Sequence, residues 1–196
     1  MPTLYFEEKY GEIYNAICGV DEAGAGPLAG PVVAAAVIMP KGLTIEGVND
    51  SKKLSEKKRV QLSQIIIEKA VAWNIALVQA DEIDEINILQ ARMKAMAKAI
   101  AGLNPKADFA LIDGNKKPDL NITAVTIEGG DAKSFTIACA SILAKVSRDE
   151  IMLNYHEKYP QYGFNRHKGY GTKMHIEAIK QFGASPIHRK TFLKKI

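Results

Sequence analysis

The chain has 196 residues, of which 47% are hydrophobic and 24% charged, a balance that predicts a globular protein with one core. No apolar run approaches the roughly 20 residues of a membrane span, and the N-terminus lacks a signal-peptide pattern, which excludes a membrane protein and predicts a cytoplasmic one. The net charge is +4, but residues 161–196 carry eight basic residues against one acidic residue, while residues 1–160 carry 18 against 21. The basic C-terminal part is typical of a surface that binds a polyanion, although a solvated basic face has the same signature.

Predicted strands and helices are mixed along the whole chain. In order they are strands over 16–21 and 31–39, a helix from Ser55 to about Val71, a strand near Asn74–Val78, a helix from Asn87 to about Gly102, strands over Asp108–Asp113 and Ile122–Ile127, a long helix from Asp131 to about Tyr159 and a helix over Thr172–Phe182. Val60, Ile67 and Val71 are predicted apolar positions of the first helix. This order predicts a single α/β domain over 1–196 with a mixed sheet and a basic C-terminal part from about residue 160.

The two cysteines and four histidines do not indicate a metal site. Cys18 and Cys139 lie in apolar contexts without a Cys-x-x-Cys pair, so we expect buried thiols in a reducing compartment. The histidines are scattered and do not indicate a zinc site.

The segment from Cys18 to Gly30 carries the strongest signal, because two carboxylates, Asp21 and Glu22, end an apolar run just before a glycine-rich loop. A plain turn is one interpretation. A dinucleotide fingerprint is another, but it requires a helix to open at the glycines, whereas the valine-rich segment between Pro31 and Pro40 predicts a strand. A Walker loop is excluded because no Gly-Lys-Ser/Thr follows.

Two further carboxylates share the context of Asp21 and Glu22. Asp113 ends a predicted strand and Asp131 follows two glycines at a predicted helix start. Each is a weak signal alone, since Asp-Gly turns and Asp caps are common, but strand ends are where sites assemble. No basic partner is evident nearby, so four such acids indicate two divalent cations, Mg²⁺ or Mn²⁺, which suit in-line phosphoryl chemistry.

These motifs together resemble ribonuclease HII, the bacterial type 2 ribonuclease H, over nearly the whole chain. The segments that carry the resemblance are Gly19–Gly30, Asn49–Leu54, Leu111–Asn115, Gly130-Asp131, Ala140–Asp149, Tyr159–Gly163, His167–Tyr170 and His188-Arg189. The resemblance implies a ribonuclease H-like fold, with a mixed five-stranded sheet flanked by helices and a C-terminal helical part. It also implies hydrolysis of the RNA strand of RNA–DNA hybrids and nicking 5′ of single ribonucleotides in duplex DNA, leaving 3′-hydroxyl and 5′-phosphate ends.

The resemblance assigns roles to individual residues. It implies that Asp21, Glu22, Asp113 and Asp131 are the catalytic metal-binding acids, that Tyr170 packs on a sugar and helps to read the RNA–DNA junction, and that Lys52 lies near a substrate phosphate. In the family the loop at Gly24, Ala25 and Gly26 contacts the junction ribonucleotide. The family normally has Gly-Arg-Gly there, and Ala25 therefore lacks a charged contact.

Three hypotheses follow. The first is a two-metal ribonuclease that acts on RNA–DNA hybrids and ribonucleotide-containing duplex DNA, which we predict to be a monomer. The second is a hybrid- or junction-binding protein whose turnover is impaired by Ala25. The third is a DNA-specific nuclease with the same fold, such as a junction resolvase.

Overall fold

The computed structural model describes residues 1–194 and contains one mixed sheet of five strands. The strands are β1 (Ile17–Ala23), β2 (Val32–Ile38), β3 (Ala72–Val78), β4 (Phe109–Asp113) and β5 (Thr123–Ile127). Their spatial order is β3-β2-β1-β4-β5, with β1–β2 and β2–β3 antiparallel and β1–β4 and β4–β5 parallel. The predicted mixed sheet and its early antiparallel pair are confirmed.

Helices cover both faces of this sheet and form the C-terminal part. They are α1 (Tyr5–Gly11), α2 (Glu56–Lys69), α3 (Ala80–Ala101), α4 (Phe135–Lys158), α5 (Phe164–His167), α6 (Lys173–Phe182) and α7 (Lys190–Leu193). Short 3₁₀ turns lie at Ser51–Lys53, Gly130–Ala132 and Pro160–Tyr162. No helix within 1–194 is both long and apolar enough to cross a bilayer.

Successive side chains of β1 point to opposite faces of the sheet. Cys18 and Val20 pack in the core beneath α3. Gly19 faces α4 so closely that a Cβ at this position would lie 2.2 Å from the carbonyl carbon of Thr136, so α4 can approach the strand only at a glycine. Both cysteines are buried free thiols, as predicted.

Several predicted boundaries were wrong, for local reasons. Asp131 does not begin the long helix, because it lies in a 3₁₀ turn and the hydroxyl of Ser134 caps α4 instead. The helix start predicted at Asn87 is present as a break within α3, where Asn87 has φ of +66° and its side-chain oxygen accepts a hydrogen bond from the Gln90 N–H, as an N-cap does. The prediction missed the helical stretch from Ala80 that precedes this break.

The apolar face of α2 was also predicted wrongly. Val60, Ile67 and Val71 are exposed, Val71 lies beyond the helix end at Lys69, and the buried positions are Leu62, Ser63 and Ile66. Helix α1 was not predicted.

Candidate nucleic-acid cleavage site

The predicted acids gather at one edge of the sheet. Val20 of β1 is paired with Ile112 of the parallel strand β4, so Asp21 and Asp113 follow at the same carboxyl edge. Asp131 lies in the next turn, where the N–H of Gly130 donates to Asp113 Oδ1 at 2.6 Å. A Cβ at position 130 would lie 2.6 Å from Cδ1 of Ile137 and 3.2 Å from that oxygen, so a larger residue would crowd this contact.

Asp21 and Glu22 point to opposite faces, because they are consecutive in a strand. Asp21 faces α4, and Glu22 faces α3, where its Oε1 lies 2.6 Å from Nε of Arg92. Both nevertheless line the same cleft, about 240 Å³ in volume, together with Asp113, Lys52 and Tyr170. We call the acids Asp21, Glu22, Asp113 and Asp131 the carboxylate edge.

Burial and mutual repulsion raise the pKa of several of these acids. The pKa of Asp21 is raised well above its ordinary value, mainly by burial and then by the charges of Glu22 and Asp113. Burial also raises the pKa of Glu22 and of Asp131, although Arg92 and Lys52 respectively oppose the effect. Burial and neighbouring acids therefore disfavour the negative charge of these carboxylates.

Two basic partners that the sequence did not reveal reduce this charge. Arg92 pairs with Glu22, and Lys52 Nζ lies 3.4 Å from Asp131 Oδ2. Partial burial lowers the pKa of Lys52, but Asp131 and other acids outweigh it and the pKa is raised overall. The absence of a basic partner, inferred from the local segments, was wrong because Arg92 comes from a distant helix.

The carboxylates are not closed around a common point. Within 1–194 no three His, Cys, Asp or Glu side chains are already arranged to hold a metal ion. Glu22 and Asp131 are each paired with a basic side chain. Oε2 of Glu22, however, is buried without a hydrogen-bond partner. An all-oxygen donor set with a free buried oxygen fits a hard divalent cation.

The glycine loop forms the neighbouring wall of the cleft. Gly24 has φ of +96°, and a Cβ there would lie 2.1 Å from Nε of Arg148, so this position requires glycine. Gly26 is exposed, and a Cβ there would meet nothing within 4 Å. Ala25 lies between them, half-buried, and lines the cleft.

Two fully buried arginines hold this loop through its carbonyl groups. Arg189 donates to the carbonyl oxygens of Gly24 at 2.6 Å and of Ala25 and Gly30 at 3.0 Å. Arg148 donates to the carbonyls of Ala29, Pro31 and Lys168. Neither arginine pairs with a carboxylate in the described chain, and both donate their hydrogen bonds to backbone carbonyls.

Tyr170 and Lys52 both line this cleft. The Tyr170 side chain is 46% exposed, and the Arg148 guanidinium lies 5.8 Å from its ring centre. Lys52 is also largely exposed, on a loop that Arg59 holds by donating to the carbonyls of Ser51 and Leu54. The structure thus brings every predicted site residue to one region.

Sequence reasoning assigned no role to Arg148, Arg189, Arg92 or Ser141. The hydroxyl of Ser141 lies 2.9 Å from that of Ser51 and acts to lower the pKa of Asp21. A signal existed for Arg148, which is a charged residue inside the largely apolar pattern of α4. Arg189 and Arg92 lie far from the carboxylates in sequence and gave no local signal.

Comparison with known proteins decides the family. The Ribonuclease HII family model matches residues 18–195. The chain belongs to the ribonuclease HII family. It is therefore a ribonuclease H-type endoribonuclease, an enzyme class that cuts the RNA of RNA–DNA hybrids, and the predicted resemblance and fold are confirmed.

Individual relatives agree with this assignment. The ribonuclease HII of Idiomarina loihiensis is 59% identical over 176 residues, covering 90% of this chain and 94% of that protein. That of Caldanaerobacter subterraneus is 54% identical over 193 residues, covering 98% and 80%. The crystal structure of ribonuclease H2 from Pyrococcus horikoshii superposes with a TM-score of 0.74 at 29% identity, covering 89% of this chain and 92% of that one.

Proposed function

We propose that this ribonuclease HII family member is a divalent-metal-dependent endonuclease. It hydrolyses the RNA strand of RNA–DNA hybrids and nicks 5′ of single ribonucleotides in duplex DNA, leaving 3′-hydroxyl and 5′-phosphate ends. The observation that carries the proposal is the cleft lined by Asp21, Glu22 and Asp113 together with the glycine loop and Tyr170. Asp131 lies in the turn beside it, paired with the cleft residue Lys52.

The carboxylate edge would hold the metal, Mg²⁺ or Mn²⁺, through Asp21, Glu22, Asp113 and Asp131. When bound, a pair of such ions would supply a water of lowered pKa and stabilise the leaving 3′-oxygen. The raised pKa values of Asp21, Glu22 and Asp131 support this assignment, because burial and then neighbouring acids disfavour the ionised carboxylates and a bound cation would favour them. A solved structure with the same fold, Bst-RNase HIII, is described in complex with Mn²⁺, but at 17% identity it supports the fold only.

The loop around Ala25 would contact the junction ribonucleotide. Arg189 and Arg148 donate to carbonyls of the loop, and the N–H groups of Leu28 and Gly30 are bonded to other carbonyls, so the N–H groups of Ala25 and Gly26 would be the ones to contact a 2′-hydroxyl. Tyr170 would pack its exposed ring on a sugar, and Lys52 would approach a phosphate. The basic C-terminal part would follow the nucleic-acid backbone without reading bases.

Asp21→Asn tests the metal-dependent mechanism. We expect Asp21→Asn to lose at least about a thousandfold in kcat on a duplex with one ribonucleotide in Mg²⁺, because it removes a ligand and the charge that attracts the ion. Glu46→Gln, which neutralises an exposed acid outside the cleft, is the matched control and should keep full activity. Full activity of Asp21→Asn would overturn the mechanism.

The alternative of a hybrid- or junction-binding protein with impaired turnover gains some support from Ala25, whose side chain offers no donor in the cleft. Single-turnover reactions in Mn²⁺ separate the two functions. Product formation supports the nuclease, whereas retained binding without product supports the binding protein. An all-DNA duplex cut as fast as the ribonucleotide-containing one would support the DNA-specific nuclease instead.

A further inference from the structure

A chain of hydrogen bonds runs behind Tyr170 through two buried histidines. The backbone N–H of Ser185 donates to His188 Nδ1 at 2.9 Å, His188 Nε2 lies 3.0 Å from His175 Nε2, and His175 Nδ1 lies 2.9 Å from the carbonyl oxygen of Tyr170. His175 and His188 are almost completely buried. None of these groups belongs to the carboxylate edge.

Only one tautomeric arrangement satisfies this chain. A backbone N–H can only donate, so His188 Nδ1 must accept, and the neutral ring carries its proton on Nε2. His188 Nε2–H then donates to His175 Nε2. His175 consequently carries its proton on Nδ1 and donates to the Tyr170 carbonyl. The chain thus has a fixed direction that ends on the backbone of Tyr170.

Both histidines stay neutral at physiological pH. Burial lowers the pKa of His175 to about 4, and burial together with the neighbouring His175 lowers that of His188 to about 4. His167 supports the same turn, because its ring stacks on His175 at 4.4 Å and its Nδ1 accepts from the N–H of Gly169.

The segment that begins this chain also holds the glycine loop. Arg189 follows His188 directly and donates to the carbonyls of Gly24, Ala25 and Gly30. Two backbone hydrogen bonds, Gly30 N–H to the Ile187 carbonyl and Arg189 N–H to the Leu28 carbonyl, continue the attachment. We call residues Ser185–Arg189 the support segment.

We propose that the support segment sets the position of Tyr170 relative to the glycine loop, and that His188 and His175 are positioning residues for the recognition of an isolated ribonucleotide. The proposal rests on the proposed function, in which both loops contact the RNA–DNA junction. A duplex with one ribonucleotide has a single productive binding register, and the glycine loop and the Tyr170 turn must both contact it in that register. A long hybrid has many productive registers, so a displaced loop should lower its cleavage less.

Amide substitutions at the two histidines test the direction of the chain. An asparagine amide can replace the Nδ1 side of histidine and a glutamine amide the Nε2 side. His175→Asn keeps a donor for the Tyr170 carbonyl, whereas His175→Gln does not. At position 188 the order reverses, since His188→Gln keeps a donor for His175 and His188→Asn keeps only the contact with Ser185.

The readout is kcat/KM on a duplex with one ribonucleotide divided by kcat/KM on a long hybrid. We expect this ratio to fall about fivefold to tenfold in His175→Gln and His188→Asn, the loss of one hydrogen bond, and to change less than about twofold in His175→Asn and His188→Gln. Thermal unfolding of all four variants is measured in parallel. The proposal would be overturned if the ratio simply followed the unfolding temperature and if Asn and Gln had the same order of effect at positions 175 and 188. That result would mean that the histidines act only through packing.

Tyr170→Ala separates the inference from the function on which it rests. Tyr170→Ala alone should lower the ratio, and adding His175→Gln should then change it no further. If Tyr170→Ala leaves the ratio unchanged, the role of Tyr170 is wrong and the inference falls with it. If Tyr170→Ala lowers the ratio but His175→Gln and His188→Asn do not, only the inference fails.

Discussion

The carboxylate edge and the support segment both bury polar groups, but they do so in opposite ways. The support segment satisfies its groups internally, since Arg189 and His188 each have hydrogen-bond partners. The carboxylate edge leaves Oε2 of Glu22 without a partner and crowds like charges together. A buried polar group without compensation is costly. The support segment supplies that compensation itself, whereas at the carboxylate edge the proposed cation would supply it.

The glycine loop lies between these two regions and depends on both. Its first residue, Gly24, follows β1 of the carboxylate edge by one position, and its carbonyls are held by Arg189 of the support segment. Removing the Arg189 contacts of the support should therefore act mainly on stability, and changes to the edge should act on activity and metal response. Four predictions test this division.

Arg189→Met should produce the largest loss of stability. It leaves the carbonyls of Gly24, Ala25 and Gly30 without their donor in a buried site, and we expect a cost of about 3–5 kcal/mol in the free energy of unfolding. Denaturant unfolding monitored by circular dichroism measures it. Lys190→Met removes the same charge from the exposed neighbouring side chain and should cost less than about 0.5 kcal/mol.

Equal stability of Arg189→Met and Lys190→Met would contradict the distinction between the support segment and the carboxylate edge. It would mean that water replaces the guanidinium without cost, and that the support segment does not hold the loop.

Metal should stabilise the protein more as the pH rises. The pKa values of Asp21, Glu22 and Asp131 are raised in the folded state, so the metal-free protein loses stability as the pH rises through them. A fixed Mg²⁺ concentration, about a hundredfold above its Kd at pH 8, should add about 2.7 kcal/mol at pH 8 and less at pH 5. Unfolding with Mg²⁺ or with EDTA measures the difference.

The histidines do not obscure this measurement. His175 and His188 have lowered pKa values in the folded state, so their contribution is lost as the pH falls from about 6.5 to about 4. That loss is the same with and without metal and cancels in the difference. Asp21→Asn should be more stable than the parent in EDTA at pH 8 and respond less to Mg²⁺; an unchanged response would contradict metal binding at Asp21.

The predictions made from sequence agree with the structure where the signal is local, and they fail where a contact depends on residues distant in the chain. The apolar run before Asp21 and the strand before Asp113 predicted the carboxylate edge, since parallel strands end at the same edge. The Arg92 pair with Glu22 and the Arg189 contacts with the loop join segments far apart in the chain, so no local pattern revealed them. The helix start at Asp131 was wrong because Asp131 lies in a 3₁₀ turn, and the hydroxyl of Ser134, three residues later, caps α4.

Ala25→Arg should change activity more than stability. Ala25 is half-buried beside the cleft and its carbonyl is already held by Arg189, so a longer side chain can extend into the cleft. A new charge-assisted contact with phosphate is worth about 1.5–3 kcal/mol, or about tenfold to a hundredfold in kcat/KM on a single-ribonucleotide duplex. Ala25→Met, similar in length without charge, is the control. Equal rates for all three proteins would mean that the backbone around Ala25 suffices.

Lys52→Ala should have the smallest effect and decides to which partner Lys52 belongs. Its largely exposed ammonium pairs with buried Asp131, and exposed pairs contribute little to stability. If Lys52 contacts a substrate phosphate, hybrid affinity in Ca²⁺ should fall a few-fold, and the slope of log K against log salt should become shallower by about 0.9. Lys53→Ala, beside it and also exposed, is the matched control.

An unchanged slope with a weaker metal response would instead make Lys52 a partner of the carboxylate edge. In that case the loss of the Lys52 charge raises the pKa of Asp131 further and does not change substrate binding.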